Sequence, residues 1–352
     1  MRPRSGGLSA CTLMNDFEPA HETLAAIAAR HGSTAETVRP THSGVANRAY
    51  LLGDDLVLRI PRTKQFLADL VKEAAVIPAA RRLGVRTPGV VTFDDTCAEV
   101  DVPYMVLDRV QGADLERLDL PTDRAEQVYR QVGRELAKLH RLSGEAGLSA
   151  VPRDESPGDP RELVDRLRAD GWIDADAARW LTSRFDALSP YLPAEPPMVL
   201  VHGDISPQNL LAAERGAVLT GIVDWGDAQW ADPAIEFAKT PLTAVPAMLD
   251  GYAQEAGEGT AEHLRSWEAR VLWVHLTWAL ARLADPVPKP GERHWTAPPA
   301  SRLLGLLRFF AADPPSPWAD LVRAGPGVHG RTVLPAERHR VPNVLPSHAP
   351  RR

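Results

Sequence analysis

The segment His202-Gly203-Asp204-Ile205-Ser206-Pro207-Gln208-Asn209 is followed, fifteen residues past Asn209, by Asp224 within Ile222-Val223-Asp224-Trp225. These groups border three short apolar runs, Met198 to Val201, Leu210 to Ala212 and Val218 to Val223, which read as strands. Two carboxylates and a carboxamide therefore sit at strand ends around one hairpin. A carboxylate can take a hydroxyl proton, while a carboxamide five residues later and a further carboxylate can hold Mg2+. Phosphoryl transfer needs this combination, because the protein's task there is to position an acceptor hydroxyl and neutralise charge. Each piece alone says little, since an isolated Asp at a strand end is commonly a turn or cap residue. The joint pattern is the informative observation.

The elements that must position these groups can be read outward from them. Residues 18 to 31 give a short amphipathic helix, with Leu24, Ile27 and Ala28 on one face. Arg48 to Leu52 and Leu56 to Ile60 flank Gly53-Asp54-Asp55 as a hairpin. A helix is expected from about Thr63 to Leu83, kinked or ended at Pro78. Val90 to Phe93 and Tyr104 to Leu107 are two further strands, completing a small sheet with one helix across it. From Thr122 the periodicity turns helical, over 122 to 142, 160 to 188, 242 to 284 and 299 to 312. The expected organisation is a disordered start over 1–17, a nucleotide-binding lobe over 18–108, a catalytic and substrate lobe over 109–312, and a Pro-rich disordered tail over 313–352.

His202-Gly203-Asp204 through Asn209, then Asp224-Trp225-Gly226-Asp227-Ala228, then Ala231-Asp232-Pro233-Ala234-Ile235-Glu236-Phe237, resembles the aminoglycoside phosphotransferase superfamily, macrolide phosphotransferases included. The resemblance covers roughly residues 40 to 310. It implies an α+β, two-lobed protein-kinase-like fold, with a small N-terminal antiparallel sheet lobe, a larger helical C-terminal lobe and ATP, or alternatively GTP, between them. It implies Asp204 as catalytic base and Asn209 with Asp224 holding Mg2+. Upstream, Ser43 to Arg48 would cover the phosphates, with Ser43 and Asn47 as binding residues. Arg59 falls where many relatives carry Lys, with Glu73 on the following helix as its partner. An Arg keeps the charge but not the ammonium's geometry. Tyr104 to Gly112 resembles the connector between lobes, with Leu107 near the adenine edge. Asp227 and Trp230 are expected beside the acceptor. His202 is expected to bond backbone in its loop as readily as to act, and Asp232 to cap the next helix, with Pro233 in its first turn.

Composition narrows the acceptor. In 352 residues with a formal net charge of -6, no general nucleic-acid footprint exists. Hydrophobic residues at 44% and charged residues at 24% fit a globular chain. Cys11 and Cys97 are too few for a disulfide framework or a zinc cluster, and no apolar run is long enough for a membrane span, so a cytoplasmic protein without an obligate protein partner is expected. Protein kinases carry Lys two residues after the catalytic Asp; Ser206 stands here, which favours a small acceptor over a protein. Residues 154 to 176 hold eight acidic groups against three Arg, either a solvated face or an attractor for a polyamine sugar such as an aminoglycoside. Leu58-Arg59-Ile60-Pro61-Arg62 resembles the matching strand of macrolide kinases, so a macrolide or nucleoside antibiotic, or a small metabolite, is the alternative. Trp172, Trp180, Trp230, Trp273 and Trp278 would then supply an apolar wall. A nucleotide-binding, pseudokinase-like module without turnover is the alternative of a different class. Carrying Asp204, Asn209 and Asp224 together argues against it.

Overall fold

The computed structural model describes residues 18–41, 46–98, 100–142, 148–154, 158–213, 215, 217–257, 261–284 and 299–323. Strands β1 (Val38–Pro40), β2 (Asn47–Leu52), β3 (Leu56–Pro61), β4 (Val90–Asp94) and β5 (Tyr104–Asp108) form an antiparallel sheet in the order β1-β2-β3-β5-β4. Strand alternation divides its residues between two faces. Tyr50, Leu52, Leu58, Ile60, Tyr104 and Val106 turn one way and bury against Ile27 and Ala28 of helix α1 (His21–Arg30). Arg59, one residue out of phase with Leu58 and Ile60, consequently points to the opposite face. That face meets helix α2 (Leu67–Arg82), which buries Leu70, Val76, Ile77 and Ala80.

Helix α2 runs through Pro78 to Arg82, close to the expected limit at Leu83, so of the kink or end expected at the proline the end does not occur. Proline leaves one carbonyl a turn earlier without its donor. Val76, Ile77, Ala79 and Ala80, all almost wholly buried around the proline, hold the last turn in place.

The second lobe opens with β6 (Ala113–Asp114) and then α3 (Thr122–Leu139). The expected helical stretch 160–188 is two helices, α4 (Pro160–Ala169) and α5 (Ala175–Leu188), capped by Asp159 and Asp174. Strands β7 (Val199–Val201), β8 (Leu210–Ala212), β9 (Leu219–Ile222) and β10 (Gln229–Ala231) make up the island that carries the chemistry. β8 pairs with β6 and β9, whereas β7 pairs with β10. The remainder is helical: α6 (Val245–Ala256), α7 (Ala261–Ala281), α8 (Pro299–Ala311) and α9 (Trp318–Arg323).

Helices α3 and α6 meet backbone to backbone. A Cβ on Gly133 would lie 1.9 Å from the Met248 carbonyl oxygen, and one on Gly251 1.9 Å from that of Arg130. Only glycine fits at either crossing point.

Helix α9 corrects the expected tail. It lies inside the stretch assigned to disorder from residue 313, yet Trp318 and Leu321 are wholly buried, and the Trp318 indole N–H donates to the Leu242 carbonyl at 3.1 Å. Residues 1–17 and 324–352 lie outside the described residues. Among the described residues no helix is long and apolar enough to cross a membrane.

Candidate active site

The loop between β7 and β8 is built before any ligand arrives. His202 is fully buried, and its two ring nitrogens are both engaged: Nε2 lies 3.1 Å from the Val223 carbonyl and Nδ1 accepts the Asp204 N–H at 3.2 Å. The histidine is thus a brace between the two halves of the hairpin. Glu236, almost wholly buried, accepts the His202 N–H on one oxygen and the Gly203 N–H on the other, the latter at 3.0 Å. Gly203 has φ +80°, and a Cβ there would meet the Asp227 carbonyl oxygen at 2.4 Å. A side chain would thus be both strained and obstructed.

This bracing leaves Asp204 at the cleft wall. Its Oδ2 accepts the Asn209 Nδ2–H at 2.7 Å, and the same nitrogen donates to the Asp204 carbonyl at 3.0 Å. Burial lifts the Asp204 carboxyl above the ordinary aspartate range, with Lys239 beside it pulling the other way. Asp224 lies two residues past the end of β9, in the left-handed region at φ 69°. Burial would raise its carboxyl too, but the Arg59 guanidinium overrules that and holds it below the ordinary range.

Arg59 joins the lobes. One guanidinium nitrogen lies 2.6 Å from Glu73 of α2 and the other 2.7 Å from Asp224, 165 residues away. Burial works against the charge of Arg59, and the two carboxylates more than offset it. Glu73 is fully buried; burial pushes its carboxyl up, with Arg59 opposing. The planar fork reaches two carboxylates at once, which a single ammonium does less readily.

These groups line a cleft of about 520 Å³ between the lobes. Asp204, Asn209, Asp224, Arg59, Glu73, Asn47, Leu107 and Asp227 all border it. Val57, Ile77, Leu107 and Leu211 give it an apolar slot suited to a flat base. Asn47 is buried, and among the described residues neither of its amide atoms has a hydrogen-bond partner, so it can still bond to a ligand. Ser43 lies outside the described residues.

Trp230 does not border the cleft. It is buried in β10, opposite Leu200 of β7, with its backbone bonded to Pro152 and Asp154. Strand pairing turned the side chain into the core, so the expectation of acceptor contact fails there. None of the five tryptophans read as an apolar wall lines the cleft. The acidic run of 154–176 does not line it either: Asp159 and Asp174 cap helices, and Asp159 and Asp176 pair with Arg161 and Arg179. Asp232 caps the turn at Pro233 as expected, and also binds Arg270.

Sequence reasoning missed two residues. Glu236 was part of the quoted motif but had no assigned task. Lys239 stands 3.0 Å from Asp204 Oδ1 and 3.4 Å from Asp227 Oδ2. Its only signal is rarity, as one of five lysines among 40 basic residues.

The Phosphotransferase enzyme family matches residues 37–273. The chain belongs to that family. Viomycin phosphotransferase of Streptomyces vinaceus is 29% identical to this phosphotransferase over 227 residues, covering 61% of this chain and 77% of the relative. The GDP complex of an aminoglycoside 2'-phosphotransferase IIIa superposes with TM-score 0.63 at 23% identity, over 83% of this chain and 97% of that one. The macrolide 2'-phosphotransferase of Brachybacterium faecium gives 0.53 at 22%, over 88% and 100%. The streptomycin–ATP ternary complex of APH(2")-IIa gives 0.55 at 14%, over 83% and 97%. The fold is thus the two-lobed protein-kinase-like one, and the phosphotransferase is a small-molecule kinase, which sets aside the non-catalytic module.

The donor set also fits a divalent cation. With Asn209 Nδ2 committed to Asp204, its Oδ1 remains as an acceptor, and Asp224 keeps one oxygen beyond the one facing Arg59. Among the described residues no group of three His, Cys, Asp or Glu forms a cage. Mg2+ needs none when substrate phosphates complete its shell.

Proposed function

We propose that this phosphotransferase transfers the γ-phosphoryl group of ATP to a hydroxyl of a cationic small molecule, an aminoglycoside-type antibiotic or one like viomycin, and so inactivates it. The observation that carries this reading is the convergence of Asp204, Asn209, Asp224 and Arg59 on one cleft where, among the described residues, seven carboxylates face three guanidiniums. Such a lining attracts a polyamine once the phosphates have taken up Arg59 and the metal. It is a poor host for a large, mainly apolar macrolide, because the apolar wall such a ligand wants is elsewhere in the core.

In this mechanism the adenine lies in the slot of Val57, Ile77, Leu107 and Leu211, and Arg59, held by Glu73, faces the phosphates. Asn209 and Asp224 would hold Mg2+, which supplies neutralisation of phosphate charge. Asp204 orients the acceptor hydroxyl and takes its proton as the oxygen–phosphorus bond forms and the bond to the leaving ADP oxygen breaks. Asp227, exposed at the cleft, pairs with an acceptor cation. The transition state is loose, so charge placement outweighs proton removal.

The test is mass spectrometry of kanamycin, streptomycin, viomycin and a macrolide after incubation with enzyme and MgATP. A gain of one phosphate on a cationic acceptor, lost in Asp204→Ala, is expected. Transfer only to the macrolide, or transfer that survives Asp204→Ala, would overturn the reading.

A further inference from the structure

Among the described residues, Lys239 is the ammonium that stands against the proposed base. It follows the turn Pro233–Phe237, the same turn that supplies Glu236 to the back of the loop. Its side chain is 10% exposed, and it is absent from the cleft lining, whereas both of its carboxylate neighbours are present there. The ammonium therefore approaches Asp204 and Asp227 from behind the wall.

The two carboxylates differ in their surroundings. Asp204 is nearly buried and held on its other oxygen by Asn209, while the side chain of Asp227 is 61% exposed to the cleft. Left alone, two like charges in one wall repel and spread apart. One cation within 3.4 Å of both cancels that repulsion and fixes their spacing. A lysine suits this position, because a compact point charge can sit between two carboxylates where a planar fork would impose its own geometry.

We propose that Lys239 is a positioning residue for phosphoryl transfer, locking the base Asp204 and the acceptor-side Asp227 into one register from behind the cleft. An acceptor cation paired with Asp227 then presents its hydroxyl to Asp204 at a set distance. The acceptor O–H proton passes to Asp204, and the electron pair of the broken Pγ–O bond leaves with ADP. The proposal rests on the reading of Asp204 as base and Asp227 as the acceptor-side group, and it adds the residue that couples them.

The experiment uses the full chain with MgATP and either kanamycin or viomycin as acceptor, in wild type, Lys239→Met, Lys239→Arg, Asp204→Asn and the double variant Lys239→Met/Asp204→Asn. Lys239→Met should lower kcat/KM for the acceptor about tenfold or more, a share of what base catalysis contributes. The KM for ATP and calorimetric ATP binding should stay within about twofold, because the phosphate side is untouched. Lys239→Arg, which keeps charge but not spacing, should fall between the two. In the Asp204→Asn background Lys239→Met should cost almost nothing further, since the group it aligns is gone. A Lys239→Met enzyme within twofold of wild type overturns the proposal. So does an equal penalty in both backgrounds, or ATP affinity and thermal stability that fall in parallel with turnover, which would mark a purely structural lysine. Asp204→Asn with wild-type turnover would instead strike the base assignment itself, a result the single lysine variants cannot produce.

Discussion

Replacing Arg59 with Met tests the ion bridge between the lobes, and its cost can be worked from burial. Glu73 is 0% exposed, has one oxygen without a hydrogen-bond partner among the described residues, and takes its counter-charge from Arg59 at 2.6 Å. Asp224, at 46% exposure, can turn to water when the guanidinium goes. The penalty therefore falls on Glu73. Removing one partner of a buried pair costs about 3 to 5 kcal/mol, a large part of a stability of about 5 to 15 kcal/mol. Protonation offers Glu73 an escape. Its carboxyl is already raised by burial, and an acid raised in the folded state adds stability below its unfolded value and loses it as pH climbs through the folded one. The gap between Arg59→Met and wild type should thus be widest near pH 9 and shrink toward pH 6. Glu73→Gln should cost only about 1 kcal/mol, because Arg59 keeps Asp224 and the amide can still accept a bond. Urea unfolding of Arg59→Met, Glu73→Gln and the double variant at both pH values measures this. Equal costs for the two single variants, strict additivity in the double, or a gap that grows toward acid would refute the reasoning.

Three further outcomes follow from the same structure. Asp224→Ala should reduce kcat/KM at least as much as Asp204→Ala, by about a hundredfold or more, since charge placement dominates a loose transition state; steady-state kinetics with a range of Mg2+ concentrations measures it. Gly251→Ala should destabilise the enzyme by about 3 kcal/mol or more, because its methyl would meet the Arg130 carbonyl at 1.9 Å, and thermal unfolding reports it. The carboxyl of Glu268 is raised to about 7, chiefly by burial, so the stability it contributes is complete below about 4.5 and lost as pH rises to 7. Glu268→Gln should therefore flatten the fall in stability between pH 5 and pH 8, by no more than about 3 kcal/mol, in urea titrations at each pH.

What could be read in advance was whatever a local pattern dictates. The strand from Leu56 to Pro61, by its resemblance, placed Arg59 with Glu73 as its partner, and the motif spacing put Asp204, Asn209 and Asp224 together; all of them border one cleft. What could not be read depends on contacts between distant segments. Lys239 reaches Asp204 only because a short turn folds back across 35 residues, and no periodicity marks such a return. Trp230 faces inward because β10 pairs with β7, which the residues of β10 alone do not specify. Pro78 stands inside a helix because packing on both sides outweighs one lost bond. Helix α9, six residues long and flanked by prolines, vanishes in any average over the tail.

The crossing of α3 and α6 sets a dimension for the chemistry. Gly251 is followed by Tyr252, whose hydroxyl lies 3.1 Å from Nδ1 of His140 at the end of α3; the far side of that ring stands 3.6 Å from Glu236, which carries the His202-Gly203 backbone. Two bare polypeptide chains laid in contact thus act as a spacer gauge. A shim as thin as one methyl between them would lift the tyrosine, and the displacement would travel through three polar contacts to the height of Asp204 in the cleft wall.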